Sequence, residues 1–233
     1  MNLDKIKVIA FDADDTLWEN EIFFFQIRDS FVEIMSKYAD KTILERELGN
    51  TEIRNLSLFG YGAKGFTISM IETAIRVSDS RITNKDIVGI IDIGKFLMSF
   101  PIQLYEDVEK VLHSLKDKYK LILATKGDLI DQERKLSKSG LAENFHHIEI
   151  MSNKNEKNYS KLLNHLDVAP EEFLMIGNSL KSDILPVVNI GCNAIHIPCE
   201  EATWAHEYVD ESSMKHLNYY KVKKIVDVLS YIK

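Results

Sequence analysis

The amino-acid sequence predicts a doubly wound, parallel α/β sheet carrying a smaller four-helix domain inserted after its first strand. Three observations carry this. A β-branched and aromatic run, Ile6–Phe11, stands alone near the amino end; similar runs alternate with helical patterns beyond residue 101; and residues 19–100 break the alternation with four helical periods in succession. Strands alternating with helices pair in parallel through right-handed crossovers, which gives an open sheet with helices on both faces.

The strand runs are IKVIAF at 6–11, KLILAT at 120–125, EFLMI at 172–176 and AIHI at 194–197, with HIEIM at 147–151 a weaker fifth. Each is short, apolar and bounded by polar residues, as buried parallel strands are. Helical patterns fill 106–118, 128–139, 159–166 and 182–189. Within the insert, apolar residues recur at Ile22, Phe25, Phe31, Val32, Met35 and Tyr38, a period near 3.6. Similar patterns cover 43–58, 66–77 and 87–98, separated by the glycine-containing break at 60–65 and the polar break at 78–84. Pro101 marks the return to the α/β core. The expected organisation is a core of 1–18 and 101–233 with a helical cap domain at 19–100.

Bulk properties narrow the function. A chain of 233 residues, 45% apolar and 28% charged, holds one substantial core or a core plus an appendage. With 29 basic against 36 acidic residues the formal charge is −7, which argues against a nucleic-acid partner and leaves small phosphate esters open, since local groups bind them. Two cysteines, Cys192 and Cys199, are too few for a disulfide framework and read as free thiols in a reducing cytoplasm. The start MNLDKIKVIAFDADD reads as lacking a signal peptide, and no apolar run reaches membrane-spanning length. The expectation is a soluble, cytoplasmic protein with no membrane partner; oligomeric state leaves no signal.

The chemistry concentrates at predicted strand ends, where open parallel sheets bind ligands. Asp12 and Asp14 follow the first strand in Phe11-Asp12-Ala13-Asp14-Asp15-Thr16. Two carboxylates one residue apart suit two-step phosphoryl transfer, one attacking phosphorus and the other working as acid and then base. The competing reading is a solvated acidic turn with Asp15 or Thr16 as a helix cap. Thr125 ends the strand LILAT and Lys126-Gly127-Asp128 opens the next helix, so a hydroxyl, a lysine and backbone N–H groups gather where phosphate is cradled. Lys154 sits in the polar loop 152–158. Gly177 is expected to give a tight turn after the 172–176 strand, and Asn178 and Asp183 offer oxygen ligands to a hard cation such as Mg2+. Each signal has a plain structural alternative; together, in consistent order at strand ends, they point to one phosphate site.

These residues resemble the haloacid dehalogenase superfamily, a Rossmannoid group consisting mostly of phosphatases. Asp12-Ala13-Asp14-Asp15-Thr16 matches its Asp-x-Asp-x-Thr motif at every fixed position, Thr125 its second motif, and the insert stands at the usual place of a helical cap. The resemblance implies Asp12 as nucleophile and magnesium ligand, and Asp14 as acid/base and as a ligand through its backbone carbonyl. For the motif lysine, Lys154 and Lys157 compete; the family spacing of five residues to a helix-opening aromatic, here Tyr159, selects Lys154. The fourth motif departs from the common Gly-Asp-x-x-x-x-Asp: Asn178 follows Gly177, with Asp183 at the second acidic place. An amide oxygen ligates without adding charge, so either metal affinity is expected to be lower or Asp183 carries more of the charge. Thr203-Trp204-Ala205-His206-Glu207 also resembles a branch of the superfamily, with Trp204 and His206 read as packing residues. Asp14 disfavours dehalogenation. The reading is therefore a magnesium-dependent phosphatase of a small phosphorylated metabolite, working through an aspartyl-phosphate; a phosphomutase and a catalytically silent phospho-ligand-binding protein are the alternatives. Lys126 and the insert's Lys64, in the glycine-bracketed segment 61–65, are the candidate substrate contacts.

Overall fold

The computed structural model describes residues 3–199, 204–214 and 217–232. Its centre is a six-stranded, all-parallel sheet of β1 (Val8–Phe11), β2 (Lys120–Lys126), β3 (His147–Met151), β4 (Phe173–Gly177), β5 (Asn193–His196) and β6 (Tyr220–Lys221), in the order β3-β2-β1-β4-β5-β6. The five runs read from the sequence are all strands. The sixth has two residues, too few for alternation or an apolar run to register.

β1 is the hinge of this topology. The chain builds β2 and β3 on one side of it, then crosses to build β4, β5 and β6 on the other. The carboxyl ends of β1, β2 and β4 therefore meet at the point where strand order reverses, the place where doubly wound sheets open a ligand crevice. Both faces of β1 are covered, as its unbroken apolar run requires. Ile9 and Phe11 pack with helix α5 (Val108–Leu115) and the 3₁₀ segment Ile225–Ser230; Val8 and Ala10 pack toward α7 (Glu156–Leu166) and α8 (Leu185–Asn189).

The chain divides into two compact units. The sheet unit comprises Met1–Glu21, Ile102–Lys126 and Gln132–Lys233; the helical unit comprises Ile22–Pro101 with Gly127–Asp131. Four helices make up most of the latter: α1 (Glu21–Met35), α2 (Lys41–Phe59), α3 (Ala63–Val77) and α4 (Asn84–Leu97). They bury Ile27, Phe31, Met35, Leu44, Leu48, Met70 and Ile90 in a core of their own. Thr83 starts α4 with a capping box closed by Asp86, which places the helix start three residues before the apolar period shows it. Helix α3 also begins early. Gly62, at φ +112°, turns the chain, and Gly65 lies so close to the Gly60 carbonyl that a Cβ would sit 2.9 Å from it. Lys64, expected in a loop, thus lies in the first turn of α3. α6 (Leu129–Ser139) follows β2.

Candidate active site

The first strand delivers Asp12 to the sheet's carboxyl edge, where its N–H donates to the Ile176 carbonyl of β4 at 2.9 Å. The side chain is 9% exposed. Lys154 Nζ donates to Asp12 Oδ1 at 2.5 Å and to Asp183 Oδ1 at 2.6 Å, and all three side chains are buried. Thr16 Oγ1 lies 3.1 Å from Asp12 Oδ2 and 3.3 Å from Asn178 Oδ1, and accepts from the Asn178 N–H at 3.1 Å. Residues from three separate segments thus converge: Asp12, Lys154, Asn178 and Asp183. Lys157, the competing lysine, is exposed on α7. Helix α7 itself starts at Glu156, capped by Asn155, so Tyr159 lies one turn inside it; the buried phenol anchors the neighbouring loop through the Ser182 carbonyl at 3.1 Å.

The electrostatics follow from two carboxylates sharing one ammonium out of water. Burial raises the Asp12 carboxyl, the Lys154 ammonium opposes that, and Asp183 adds to it; the net shift is upward. Burial alone would lower Lys154, but Asp12 and Asp183 outweigh it and hold the lysine charged. Two carboxylates share one ammonium, so the cluster is short of positive charge whenever both are ionised. Asp183 also accepts the Ser179 N–H at 2.9 Å, and its carboxylate lies where a Cβ on residue 177 would be. Gly177 is needed for that close approach and not for a turn, since its φ is not positive. The residues after it form a π-helical turn, Leu180–Ile184, before α8.

Thr125, at the end of β2 next to β1, is 1% exposed, and its hydroxyl has no hydrogen-bond partner among the described residues. A buried, unsatisfied hydroxyl costs stability unless a ligand satisfies it. The residues fit a hard divalent cation by the chemistry of their donors. Asp12, Asp183, the Asn178 amide and the Asp14 carbonyl all offer oxygen donors, and negative carboxylate charge is of the sign a cation removes. The carboxylate count is small: among the described residues no three His, Cys, Asp or Glu side chains cluster as a metal site.

Asp14 has partners of its own. Its Oδ1 accepts from Trp18 Nε1 at 2.7 Å and Lys135 Nζ at 3.0 Å, and its Oδ2 from Gln132 Nε2 at 2.8 Å and Lys135 Nζ at 3.0 Å. Gln132 and Lys135 are one turn apart on α6, both buried, and neither was singled out from the sequence. α6 has few apolar residues, and its Leu129 and Ile130 are exposed while Gln132 and Lys135 are buried, a polar inward stripe that only tertiary placement distinguishes from a solvated one.

Asp15 takes a left-handed conformation, φ +59°, and accepts from the backbone N–H groups of Asn20 and Glu21 at 3.0 and 3.1 Å. Burial and the neighbouring Asp14 push its carboxyl from 3.8 up to about 7. A raised carboxyl penalises the folded state increasingly as pH climbs from near 4 to near 7. Asparagine keeps the acceptor and tolerates positive φ. Asp15→Asn should therefore stabilise the fold by roughly 1–3 kcal/mol at pH 8 and by nothing below pH ~4. Urea melts at the two pH values check this; a loss at pH 8 would contradict it.

Lys126 is spoken for. Its ammonium donates to Glu207 Oε1 at 2.9 Å and to Ser182 Oγ at 3.0 Å, while Ser179 and Ser182 hydroxyls donate to Glu207 Oε2 at 2.9 and 2.7 Å. His206, from the same short segment, accepts Lys181 on its carbonyl at 2.7 Å, and Trp204 packs against its ring. Thr203 lies outside the described residues. Burial would raise Glu207, but Lys126 and the two serines draw it down to about 2; burial lowers Lys126 more than Glu207 restores it, so the pair contributes less than the carboxylate's shift alone suggests. Glu207→Ala, which strands the ammonium, should cost about 2–4 kcal/mol at pH 7. A lowered carboxyl stabilises above its ordinary value and loses that effect as pH falls, so the gap between variant and parent should close from pH ~4.5 down to ~2. Parallel pH–stability curves for the two proteins would refute the pairing. Lys64 donates to Asp128 at 2.9 Å within the helical unit and remains half exposed.

Comparison with known proteins identifies the family. The haloacid dehalogenase-like hydrolase family matches residues 6–191. A haloacid dehalogenase-like family hydrolase from Xanthomonas campestris shares the fold with a TM-score of 0.87 and 36% identity, over 97% of this chain and 90% of that one. The magnesium-bound HAD-hydrolase YfnB from Bacillus subtilis superposes with a TM-score of 0.69 at 15% identity, over 98% and 99% of the two chains. The glyceraldehyde 3-phosphate phosphatase of Methanothermobacter thermautotrophicus is 24% identical over 225 residues, covering 90% of this chain and 93% of that protein. With the family match spanning most of the chain and the same sheet beneath it, this protein belongs to the haloacid dehalogenase-like hydrolases.

Proposed function

We propose that the protein is a magnesium-dependent phosphatase that hydrolyses a small phosphate monoester through an aspartyl-phosphate on Asp12. The observation that carries this reading is the buried Asp12–Lys154–Asp183 cluster, with the unpartnered Thr125 hydroxyl at the end of the adjoining strand. A carboxylate held by an ammonium in a dry, strand-end site can be both aimed and activated. Asp12 Oδ attacks phosphorus in line and the bond to the ester oxygen breaks. Asp14 gives that oxygen its proton, then takes one from the water that cleaves the acyl phosphate. Lys154 and Thr125 hold phosphoryl oxygens as charge builds on them. Asp12, Asp183, Asn178 and the Asp14 carbonyl would hold Mg2+, which neutralises phosphate and carboxylate charge when bound.

Asn178 supports a weakly held metal, since the set offers two side-chain carboxylates. Substrate selection is assigned to the helical unit acting as a cap, with Lys64 and Lys126 as weaker substrate contacts because both ammoniums already have carboxylate partners. The relatives' names supply the substrate class: phosphorylated small molecules, of which glyceraldehyde 3-phosphate is the first to try. Free thiols at Cys192 and Cys199 suit a reducing cytoplasm. No helix among the described residues is long and apolar enough to cross a membrane.

The test is a phosphometabolite panel with and without Mg2+, read as released inorganic phosphate. Metal-dependent release from at least one monoester is expected. Transfer of phosphate to a second position of the substrate without release would mean a mutase, and no turnover of any ester would mean a silent binder.

A further inference from the structure

We propose that Lys135 is the positioning residue for Asp14: with Gln132 and Trp18 it fixes the orientation from which Asp14 exchanges protons with the leaving group and with water. The inference rests on the acid/base role given to Asp14 above. Three donor groups make four hydrogen bonds to this carboxylate and reach both of its oxygens. Trp18 and Lys135 take Oδ1 at 2.7 and 3.0 Å, while Gln132 and Lys135 take Oδ2 at 2.8 and 3.0 Å. The carboxyl cannot turn about its χ angles without breaking at least one bond to each of two separate elements.

The holders are themselves held. Trp18 is fully buried, Lys135 reaches Asn20 Oδ1 at 2.6 Å with the same ammonium, and Gln132 Nε2 lies 3.1 Å from the carbonyl of Lys126, the residue after Thr125. The cradle therefore ties Asp14 to the carboxyl end of β2, where the phosphate site begins. It also resolves a charge problem. Asp12, Asp14 and Asp15 are three acids in four residues; Lys154 offsets the first, and Lys135 offsets the second with both of its oxygens. Without Lys135 the Asp14 carboxylate would face its acidic neighbours with neutral donors alone and lose its fixed direction. A neutral scaffold would have sufficed to fill the space; a buried lysine is retained where charge and direction are both needed.

A general acid matters in proportion to the basicity of the oxygen that leaves. The experiment measures kcat/KM for p-nitrophenyl phosphate, phenyl phosphate and glycerol 3-phosphate, in rising order of leaving-group basicity, with the magnesium-loaded full chain. Lys135→Met should lower the glycerol 3-phosphate value by on the order of 10²-fold and the p-nitrophenyl phosphate value by only a few-fold. Lys135→Arg, which restores a charged donor, should recover most of the loss. An equal loss on all three esters would assign Lys135 to the fold alone, and no loss on any would remove it from the mechanism; either result overturns the proposal. Lys135→Gln gives the same comparison should the methionine variant fail to fold. Asp14→Asn run alongside separates the two layers of argument. If Asp14→Asn lacks the leaving-group-dependent loss, the acid/base reading itself fails. If Asp14→Asn shows the loss and Lys135→Met does not, only the positioning role is lost.

Discussion

Asp12→Asn should abolish magnesium-dependent phosphate release and, in metal-free buffer, make the protein more stable. Both effects come from one carboxylate. Removing the nucleophile leaves binding without a covalent route, and the expected loss in kcat is on the order of 10⁴-fold or more. The stability gain follows from burial. The carboxyl of Asp12 is raised by desolvation and by Asp183 beyond what Lys154 restores, so the folded state is penalised as pH rises above the ordinary carboxylate value. Asparagine removes the charge and keeps an acceptor for Lys154 and Thr16, while Lys154 retains Asp183 at 2.6 Å. The metal-free variant should gain roughly 1–3 kcal/mol at pH 7.5 and nothing near pH 4. Magnesium should reverse the order by stabilising the parent more than the variant, because the variant has lost a charged ligand. Melts with and without Mg2+ at two pH values check all of this. Unchanged turnover in Asp12→Asn would end the nucleophile assignment, and a destabilised metal-free variant would show that the cluster is not short of positive charge.

Activity and stability thus pull in opposite directions at this site, as is usual where function needs charge out of water. That tension also explains what the sequence could convey. β1, β2, β4 and β5 are buried on both faces and spell themselves as apolar runs, and the acids that follow them fall at strand ends by position alone. Lys154 was legible through spacing to Tyr159, although Tyr159 turns out to lie inside α7 and acts by anchoring the loop at Ser182. The cradle around Asp14 was not legible. Gln132 and Lys135 are polar residues on an amphipathic helix, and only tertiary placement distinguishes an inward polar stripe from a solvated one. Glu207 was hidden for the same reason: its partners Lys126, Ser179 and Ser182 come from two strand ends that lie far from it in sequence. Gly177 stands out in the sequence without its cause, since a turn and a close approach by Asp183 both ask for glycine and the structure has the second.

Lys154→Met should be the most destabilising single change at the site. The ammonium is 1% exposed and bonded to two carboxylates that are themselves buried, so its removal leaves two acids facing each other with no cation between them. Breaking a buried pair costs about 3–5 kcal/mol, and here one lysine serves two partners. The pH dependence has a definite sign. The lysine's own raised value keeps it charged throughout the neutral range, so the pH dependence comes from the carboxyl it faces. In the variant the already raised carboxyl of Asp12 loses the ammonium that opposes the shift, so the penalty grows as pH rises and is relieved as pH falls and a proton takes the lysine's place. The deficit should therefore be largest at pH 8 and shrink by pH 5. Magnesium should recover more stability in the variant than in the parent, because a cation replaces the missing charge, yet turnover should stay down by on the order of 10³-fold without the donor to the phosphoryl oxygens. Lys157→Met, one turn away on the exposed face of α7, is the control and should change neither property. Equal stability of Lys154→Met and parent at pH 8 would mean that the two carboxylates are not buried together, and the nucleophile, the metal ligand and the lysine would then have to be assigned afresh.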